Sequence, residues 1–372
     1  MSALFQSLKL KDLELKNRVM VSPMCQYSAV DGCMQPWHEV HLGQLALASA
    51  GLLMIEATAV EPIGRITPGD VGLYDAPTEA AMGQVIARLR ALNPRVPLPL
   101  AIQIGHAGRK ASSHAPWDGG HQIAPEAGGW QAVSALAHGP DETPPQALDQ
   151  AGLDALKERF VDTTRRAERL GFDAAELHTA HGYLLHQFLS PVANHRTDKY
   201  GGSLENRMRW PLEVLRAMRE VWPTHKPLGV RLSATDWDDN SSWTIAESVV
   251  FSQACEAAGA DFIDVSSGGV SVNQKITLGP GYQVGFAQAI RAAVKVPVVA
   301  VGLITEPAQA EAIVADGQAD MVALARGLLY NPRWVWHAAH ELGATVDAPV
   351  QYWRSEPREA RGLFSEASTS QR

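Results

Sequence analysis

"KVPVVAVGLITEPAQAEAIVADGQADMVALARG", residues 295–327, holds one complete structural unit. An apolar run over 297–302 is followed by a short loop. A helical stretch begins after Thr305, and a second apolar run covers 321–327. Neither run alternates apolar and polar residues. Continuous runs of this kind are expected of strands buried on both faces, and such strands form parallel sheets covered by helices. Thr305 reads as the N-cap of the intervening helix.

The same unit recurs along the chain. Six further apolar runs lie at 18–22, 52–58, 99–105, 174–178, 228–233 and 262–267. Helical patterns fall between them. The stretch over 153–171 places apolar residues at 153, 156, 160, 161 and 170 and stops at Gly171, and the stretch over 332–343 stops at Gly343. Between 201 and 222 the helical pattern is good, and Pro211 is expected to kink or restart it. A strand and then a helix, eight times over, predicts an α/β fold closed into a (β/α)8 TIM barrel. The surplus length is assigned to a leading N-terminal hairpin (about 4–17), a long third loop (105 to about 150) and a C-terminal extension. An open doubly wound sheet would need a glycine-rich turn after the first strand, and that turn reads "SPMCQYS".

The 372 residues are 46% hydrophobic and 19% charged, an ordinary globular balance, and the net charge of −8 argues against nucleic acid or an anionic membrane as partner. No apolar segment is long enough to span a bilayer, and the first residues lack the apolar core of a signal peptide. Three cysteines without a CxxC pattern support neither a disulfide framework nor a metal cluster, so a cytoplasmic location is expected. The last residues, 365–372, read as a frayed end.

Barrel function collects at the C-terminal ends of the strands. These ends carry Ser22, Pro23, Met24, Cys25, Gln26 and Tyr27 after strand one, and Glu56, Ala57 and Thr58 after strand two. Gln103, His106 and Lys110 follow on strand three, and His178, His181 and Tyr183 on strand four. Arg231 lies on strand five, Gly302 ends strand seven, and Arg326 and Gly327 end strand eight. Loops after strands seven and eight commonly hold phosphate in such barrels, and Gly302 with Arg326 suits that role. Gln103 offers an amide to an amide-bearing ring, and Arg231 is a permanent cation at the mouth. A phosphorylated, uracil-like, redox-active ring is FMN. A plain turn at Gly302, a surface cation at Arg326, a capping Gln103 and an ion-paired Arg231 are the bland alternatives.

His178 and His181 stand three residues apart and admit three readings: metal ligands, core histidines, or two donors for one substrate oxygen. The first would make a metal-dependent barrel hydrolase, but zinc needs more ligands and Arg326 at the mouth would repel it. His186, five residues into the following helix, reads as a core histidine. His178 and His181 face the mouth, where two imidazole N–H groups form an oxyanion hole.

Seven segments carry a family resemblance: "SPMCQYS", "IQIGHAGRKAS", "ELHTAHGYLLHQFLSPVANHRTDKYGGSLENR", "VRLSATDW", "GPGYQV", "VGLITEPAQAE" and "ARGLLYNPRW". Together they resemble the Old Yellow Enzyme family of FMN-dependent ene-reductases, in the thermophilic-like branch that includes xenobiotic reductases. The resemblance runs from about residue 4 to 354. It implies one FMN-binding barrel domain over 1–354 and a tail over 355–372. It implies tightly bound, non-covalent FMN and NADPH or NADH as reductant, acting on small activated alkenes. Ser22, Pro23, Met24, Cys25 and Ala57 would lie along the flavin ring, Gln103 and Arg231 at its pyrimidine edge, and Gly302, Arg326 and Gly327 at the phosphate. His178 and His181 would bind the substrate oxygen, and Tyr183 would donate the proton. Tyr27 and Lys110 would line the pocket. In "PVQYWRS", Arg354 would reach a neighbouring subunit's site and Trp353 would shape the same pocket, which implies a homodimer or a dimer of dimers. Cys25 would tune the flavin potential rather than act as a nucleophile.

Overall fold

The computed structural model describes residues 2–93, 95, 98–135 and 143–365. Eight parallel strands close into a barrel: β1 (Val19–Val21), β2 (Leu52–Ala59), β3 (Leu100–Gly105), β4 (Ala174–Thr179), β5 (Leu228–Ser233), β6 (Phe262–Ser266), β7 (Val298–Val301) and β8 (Met321–Leu324). Each strand pairs with the next in sequence, and β8 closes on β1 through Ala323 opposite Met20. Between and after the strands run α1 (Pro36–Ala46), α2 (Ala76–Leu92), α3 (Gln150–Arg169), α4 (Leu184–Leu189), α5 (Leu204–Val221), α6 (Ile245–Ala257), α7 (Val284–Arg291), α8 (Pro307–Ala315), α9 (Arg326–Tyr330) and α10 (Trp334–Glu341). This is the (β/α)8 barrel read from the repeated runs.

Side chains alternate across each strand, so every second residue points to the barrel axis. Met20, Leu52, Met54, Ala101, Ala174, Phe262, Val299 and Met321 form one buried inner cluster. The antiparallel hairpin Leu8–Leu10 and Leu13–Leu15 adds Leu10 and Leu15 to it, closing the lower end of the barrel. The opposite strand faces pack against the helices in a second, larger core. Above the apolar plug the inward positions turn polar. Gln103, Glu176, Arg231 and Asp264 come from β3, β4, β5 and β6, and all four are buried.

Several boundaries differ from the sequence reading. α5 runs through Pro211 without interruption. Proline removes a single backbone donor there, and burial of Trp210, Pro211, Leu212, Val214 and Leu215 holds the helix. α8 has Glu306, not Thr305, at its N-cap, because Pro307 with its fixed φ takes the first helical position. β8 ends at Leu324, and Arg326 already begins α9. β4 extends one residue past His178, and His186 is the third residue of α4. Residues 366–372 of the expected frayed end, and 136–142 of the third loop, lie outside the described residues.

The C-terminal extension packs near the hairpin and the N-terminal ends of the strands. Asp347 pairs with Lys16, and its carbonyl accepts from Ser49 Oγ at 2.9 Å. Val346 bridges to Phe364, whose ring meets Trp336 edge-on at 5.0 Å. Among the described residues no helix is long and apolar enough to cross a membrane.

Gly229 shows how tight the lower layer is. A Cβ there would lie 2.1 Å from the Phe262 ring. Gly229→Ala is expected to destabilise the protein by about 1–3 kcal/mol through overpacking. Thermal unfolding checks this, and Phe262→Leu in the same chain should restore part of the loss.

Candidate active site

β4 delivers the two histidines to the barrel mouth. The Ala180 amide donates to His178 Nδ1 at 3.3 Å, which leaves Nε2 as the protonated, donating nitrogen of that ring. His181 Nδ1 lies 3.4 Å from His178 Nε2, with the rings at 81°. One oxygen atom can therefore reach both nitrogens. His181 Nε2 meets Ser266 Oγ at 2.7 Å, and the His181 amide donates to Ser233 Oγ at 2.9 Å. Burial, and then the Arg231 charge, hold both imidazoles well below their usual range, so both rings are neutral.

Two residues after His181, Tyr183 caps α4 and packs edge-on against His178, with ring centres 5.1 Å apart. Burial pushes its phenol well up, so it holds its proton. Gly182 makes this turn possible: it has φ +73°, and a Cβ would lie 2.1 Å from the Gly269 carbonyl oxygen. The Gly182 amide donates to His186 Nδ1 at 2.9 Å, and His186 Nε2 faces Asp236 Oδ1 at 3.0 Å. His186 is thus the core histidine, anchoring the turn that presents His181 and Tyr183.

Lys110 Nζ donates to the carbonyls of His181 at 2.9 Å and Gly269 at 3.1 Å, and stands 5.1 Å from the centre of the Tyr183 ring. Burial, helped by Arg109, brings its ammonium down to about 8. A cavity of about 770 Å³ opens here, lined among others by Tyr27, Lys110, His114, Tyr183 and Val270. Tyr27 sits edge-on to Trp117 with ring centres 5.4 Å apart. Trp353 and Arg354 are not brought to this mouth within the chain. The Trp353 indole donates to the Ala348 carbonyl at 3.0 Å and lies near Arg95, which precedes β3.

After β1, the Ser22 amide donates to Leu324 O at 3.0 Å, tying β1 to β8. Pro23, Met24 and Cys25 follow, half-buried. The Gln26 amide donates to Glu56 Oε2 at 3.0 Å. The β2–β3 register breaks between Ile55 and Thr58, so Glu56 and Ala57 occupy an irregularity at the strand end. Burial raises the Cys25 thiol well above its ordinary range, with Asp70 and Glu56 adding to it. A thiol in that state is a poor nucleophile.

Gln103 Nε2 donates to Glu176 Oε1 at 2.7 Å, and Arg231 Nε lies 3.1 Å from Asp264 Oδ2. Across the mouth, Gly302 has φ +121° at the end of β7, while Arg326 is exposed at the start of α9 and a Cβ on Gly327 would meet nothing closer than 3.7 Å. Gly302 and Arg326 therefore stand on neighbouring strand ends. The donor set fits a phosphorylated, amide-bearing ring: buried Arg231 Nε makes no hydrogen bond, and the Gln103 amide faces the same axis. Glu176, Asp264, Ser266, Gln283 and Asp70 were not among the residues singled out from sequence. Acidic residues inside otherwise apolar strand runs were the readable signal for the first two. For Ser266, for Asp70, and for Gln283, whose amide accepts from Ser266 and donates to the Val301 carbonyl beside Gly302, the sequence carries no such mark.

This barrel and this mouth define a flavin-dependent oxidoreductase. The chain belongs to the NADH:flavin oxidoreductase / NADH oxidase family, the Old Yellow Enzyme family, whose description matches residues 3–344. It is 41% identical over 355 residues to an NADPH dehydrogenase of Geobacillus thermodenitrificans, covering 95% of this chain and 98% of that one. It is 38% identical to an NADPH dehydrogenase of Bacillus subtilis, covering 94% and 98%. A solved structure of morphinone reductase in complex with tetrahydroNAD superposes with a TM-score of 0.74 at 25% identity, over 98% of this chain and 97% of that one. The protein is an FMN-dependent enzyme. The metal-hydrolase alternative has no support: the family is one of flavin oxidoreductases, and among the described residues no group of three His, Cys, Asp or Glu is placed to hold a metal ion.

Burial raises the Glu56 carboxyl to about 8. A carboxyl raised above its unfolded value binds its proton more tightly when folded, so this group makes stability fall as pH rises from about 4.5 towards 8. Glu56→Gln removes that penalty and keeps an acceptor for Gln26. Its stability relative to the parent should rise by a few kcal/mol between pH 5 and pH 8, read from urea unfolding at each pH.

Proposed function

We propose that the protein is an ene-reductase that uses NADPH or NADH to reduce activated C=C bonds of α,β-unsaturated carbonyl compounds, with nitro compounds and nitrate esters as further substrates. The observation that carries this reading is the pair of ring nitrogens, His178 Nε2 and His181 Nδ1, 3.4 Å apart beside Tyr183. FMN, when bound, supplies the hydride chemistry. Ser22, Pro23, Met24, Cys25 and Ala57 would flank its ring, Gln103 and Arg231 would hold its pyrimidine edge, and Gly302, Arg326 and Gly327 its phosphate.

His178 donates from Nε2 to the substrate oxygen. His181 donates from Nδ1 when the Ser266 hydroxyl turns its proton to Nε2. Because both rings are neutral, polarisation comes from aimed dipoles, each worth on the order of 3 kcal/mol in a water-poor site. Tyr183 keeps its proton until the substrate's α-carbon gains electron density, and then donates it. Lys110 fixes the loop that carries His181 and places positive charge near the phenol ring. Tyr27 and Lys110 shape the pocket. Trp353 and Arg354, remote from the mouth of their own chain, are assigned to a second copy's site in a homodimer or dimer of dimers. Three free cysteines suit a reducing, cytoplasmic setting.

An anaerobic visible spectrum tests the reaction. The yellow band should bleach with NADPH and return with cyclohexenone, and a protein that NADPH cannot bleach would end the proposal. Tyr183→Phe should slow the return by cyclohexenone tenfold or more while bleaching stays within about twofold. Slower bleaching with an unchanged return would remove the donor role.

A further inference from the structure

Four side chains from adjacent strands meet on the barrel axis. Gln103 is in register with Glu176, and Arg231 with Asp264. The exposures are 2%, 0%, 6% and 0%, so three ionisable groups share a place shielded from bulk solvent. Glu176 Oε2, both Asp264 oxygens and Arg231 Nε make no hydrogen bond. Two ionised carboxylates would leave this cluster with a net buried charge, which costs several kcal/mol. One ionised and one neutral acid balance the guanidinium. The contacts say which is which: Arg231 Nε lies 3.1 Å from Asp264, whereas Glu176 bonds to the neutral amide of Gln103.

The surrounding groups offer no other compensation. His178, in register with Arg231 on β4, and His181 beyond it are both neutral. The layer beneath is apolar, with Met20, Met54, Val299, Val301 and Ala323. On β2 the buried Glu56 carboxyl, also raised to about 8, faces the Gln26 amide and His38 rather than Arg231, and because Glu56 is present in both parent and Glu176→Gln, its titration cancels in their comparison. Burial raises both carboxyls: Glu176 to about 8, with Asp264 adding to the rise and Arg231 and Gln103 opposing it, and Asp264 upward as well, with Arg231 opposing; the contacts, not these shifts, assign the charge to Asp264.

We infer that Glu176 is a proton-storing positioning residue of the flavin site: Asp264 compensates Arg231, and Glu176 takes up or releases a proton as the charge at the barrel mouth changes. The inference rests on the placement of the flavin's pyrimidine edge at Arg231. Well below pH 8 Glu176 is protonated in both redox states. Above it, the acid is ionised in the oxidised enzyme. Two electrons from an external reductant, taken up with one proton by the ring, leave one added negative charge beside Arg231, and a second proton from solvent then binds Glu176.

The experiment is a dithionite titration of the holoenzyme against reference dyes, reading the FMN midpoint potential from pH 6 to pH 10. Glu176→Gln keeps the shape and an acceptor for Gln103. Curves for parent and variant should run parallel below about pH 7.5. Above pH 8 the parent should lose a further tenfold in its preference for reduced over oxidised FMN per pH unit, about 30 mV for a two-electron couple. Parallel curves throughout, with FMN retained, overturn the inference while the flavin site stands. Asp264→Asn supplies a second arm: Glu176 becomes the counter-charge for Arg231, and the break should move below pH 7. A break that stays near 8 in this variant overturns the inference too. If Arg231→Lys leaves the affinities for oxidised and reduced FMN unchanged, the pyrimidine edge is not at Arg231, and both readings fall.

Discussion

A guanidinium inside a closed barrel must be compensated from within that barrel. Parallel pairing commits every second residue to the axis, and eight strands close off access from the side. Arg231 is therefore answered by a neighbour on its own sheet, Asp264, its register partner. The rest of the mouth adjusts to that contact. Glu176 turns to Gln103. The two imidazoles above stay uncharged beside a fixed cation. The lower barrel, filled by Phe262, the methionines and the hairpin leucines, keeps water from entering beneath.

Compensation of this kind separates the polar groups by height. The bottom layer is apolar and supplies stability through burial. The next layer up carries the compensated charges. Above it lie His178, His181 and Tyr183, whose protons are available to a bound molecule. Each layer comes from the same strands two residues further on, as Ala174, Glu176 and His178 show along β4. One strand thus contributes packing, charge balance and an oxyanion donor in turn.

Much of this could be read in the sequence for a physical reason. Doubly buried strands leave unbroken apolar runs, and all eight were visible, as was the leading hairpin, expected over about 4–17 and formed by Leu8–Leu10 and Leu13–Leu15. The residues at strand ends were legible because barrel geometry points them to one mouth. Boundaries were less so: Pro211 signals a break only where tertiary packing does not override it, and α5 buries Trp210 and Leu212 beside it. Ser266 and Gln283 were opaque, because their roles depend on contacts across 85 and 17 residues of chain. Glu176 and Asp264 sat in plain view inside apolar runs, yet which one faces the arginine depends on strand register, and single-sequence reading does not reach it. The whereabouts of Trp353 and Arg354, beside the opposite end of the barrel, likewise emerge only from the folded chain.

The contacts made by Lys110 have a mechanical side. Its ammonium joins the loop after β3 to the loops after β4 and β6, at His181 and Gly269. Gly182 and Gly269 bring the backbones of the latter two loops together, and Ser233 links the His181 amide to the Gly268 carbonyl. Four crossovers are thereby clamped into one plate on this half of the rim. The loops after β1 and β2 are tied in turn, the Ala29 amide donating to the Gly69 carbonyl and the Ser113 amide to the Ile66 carbonyl, each at 2.8 Å, so Tyr27 and Trp117 meet at the entrance as side chains carried on held backbones. A lineage of such barrels can thus change what enters while the oxyanion donors stay in place.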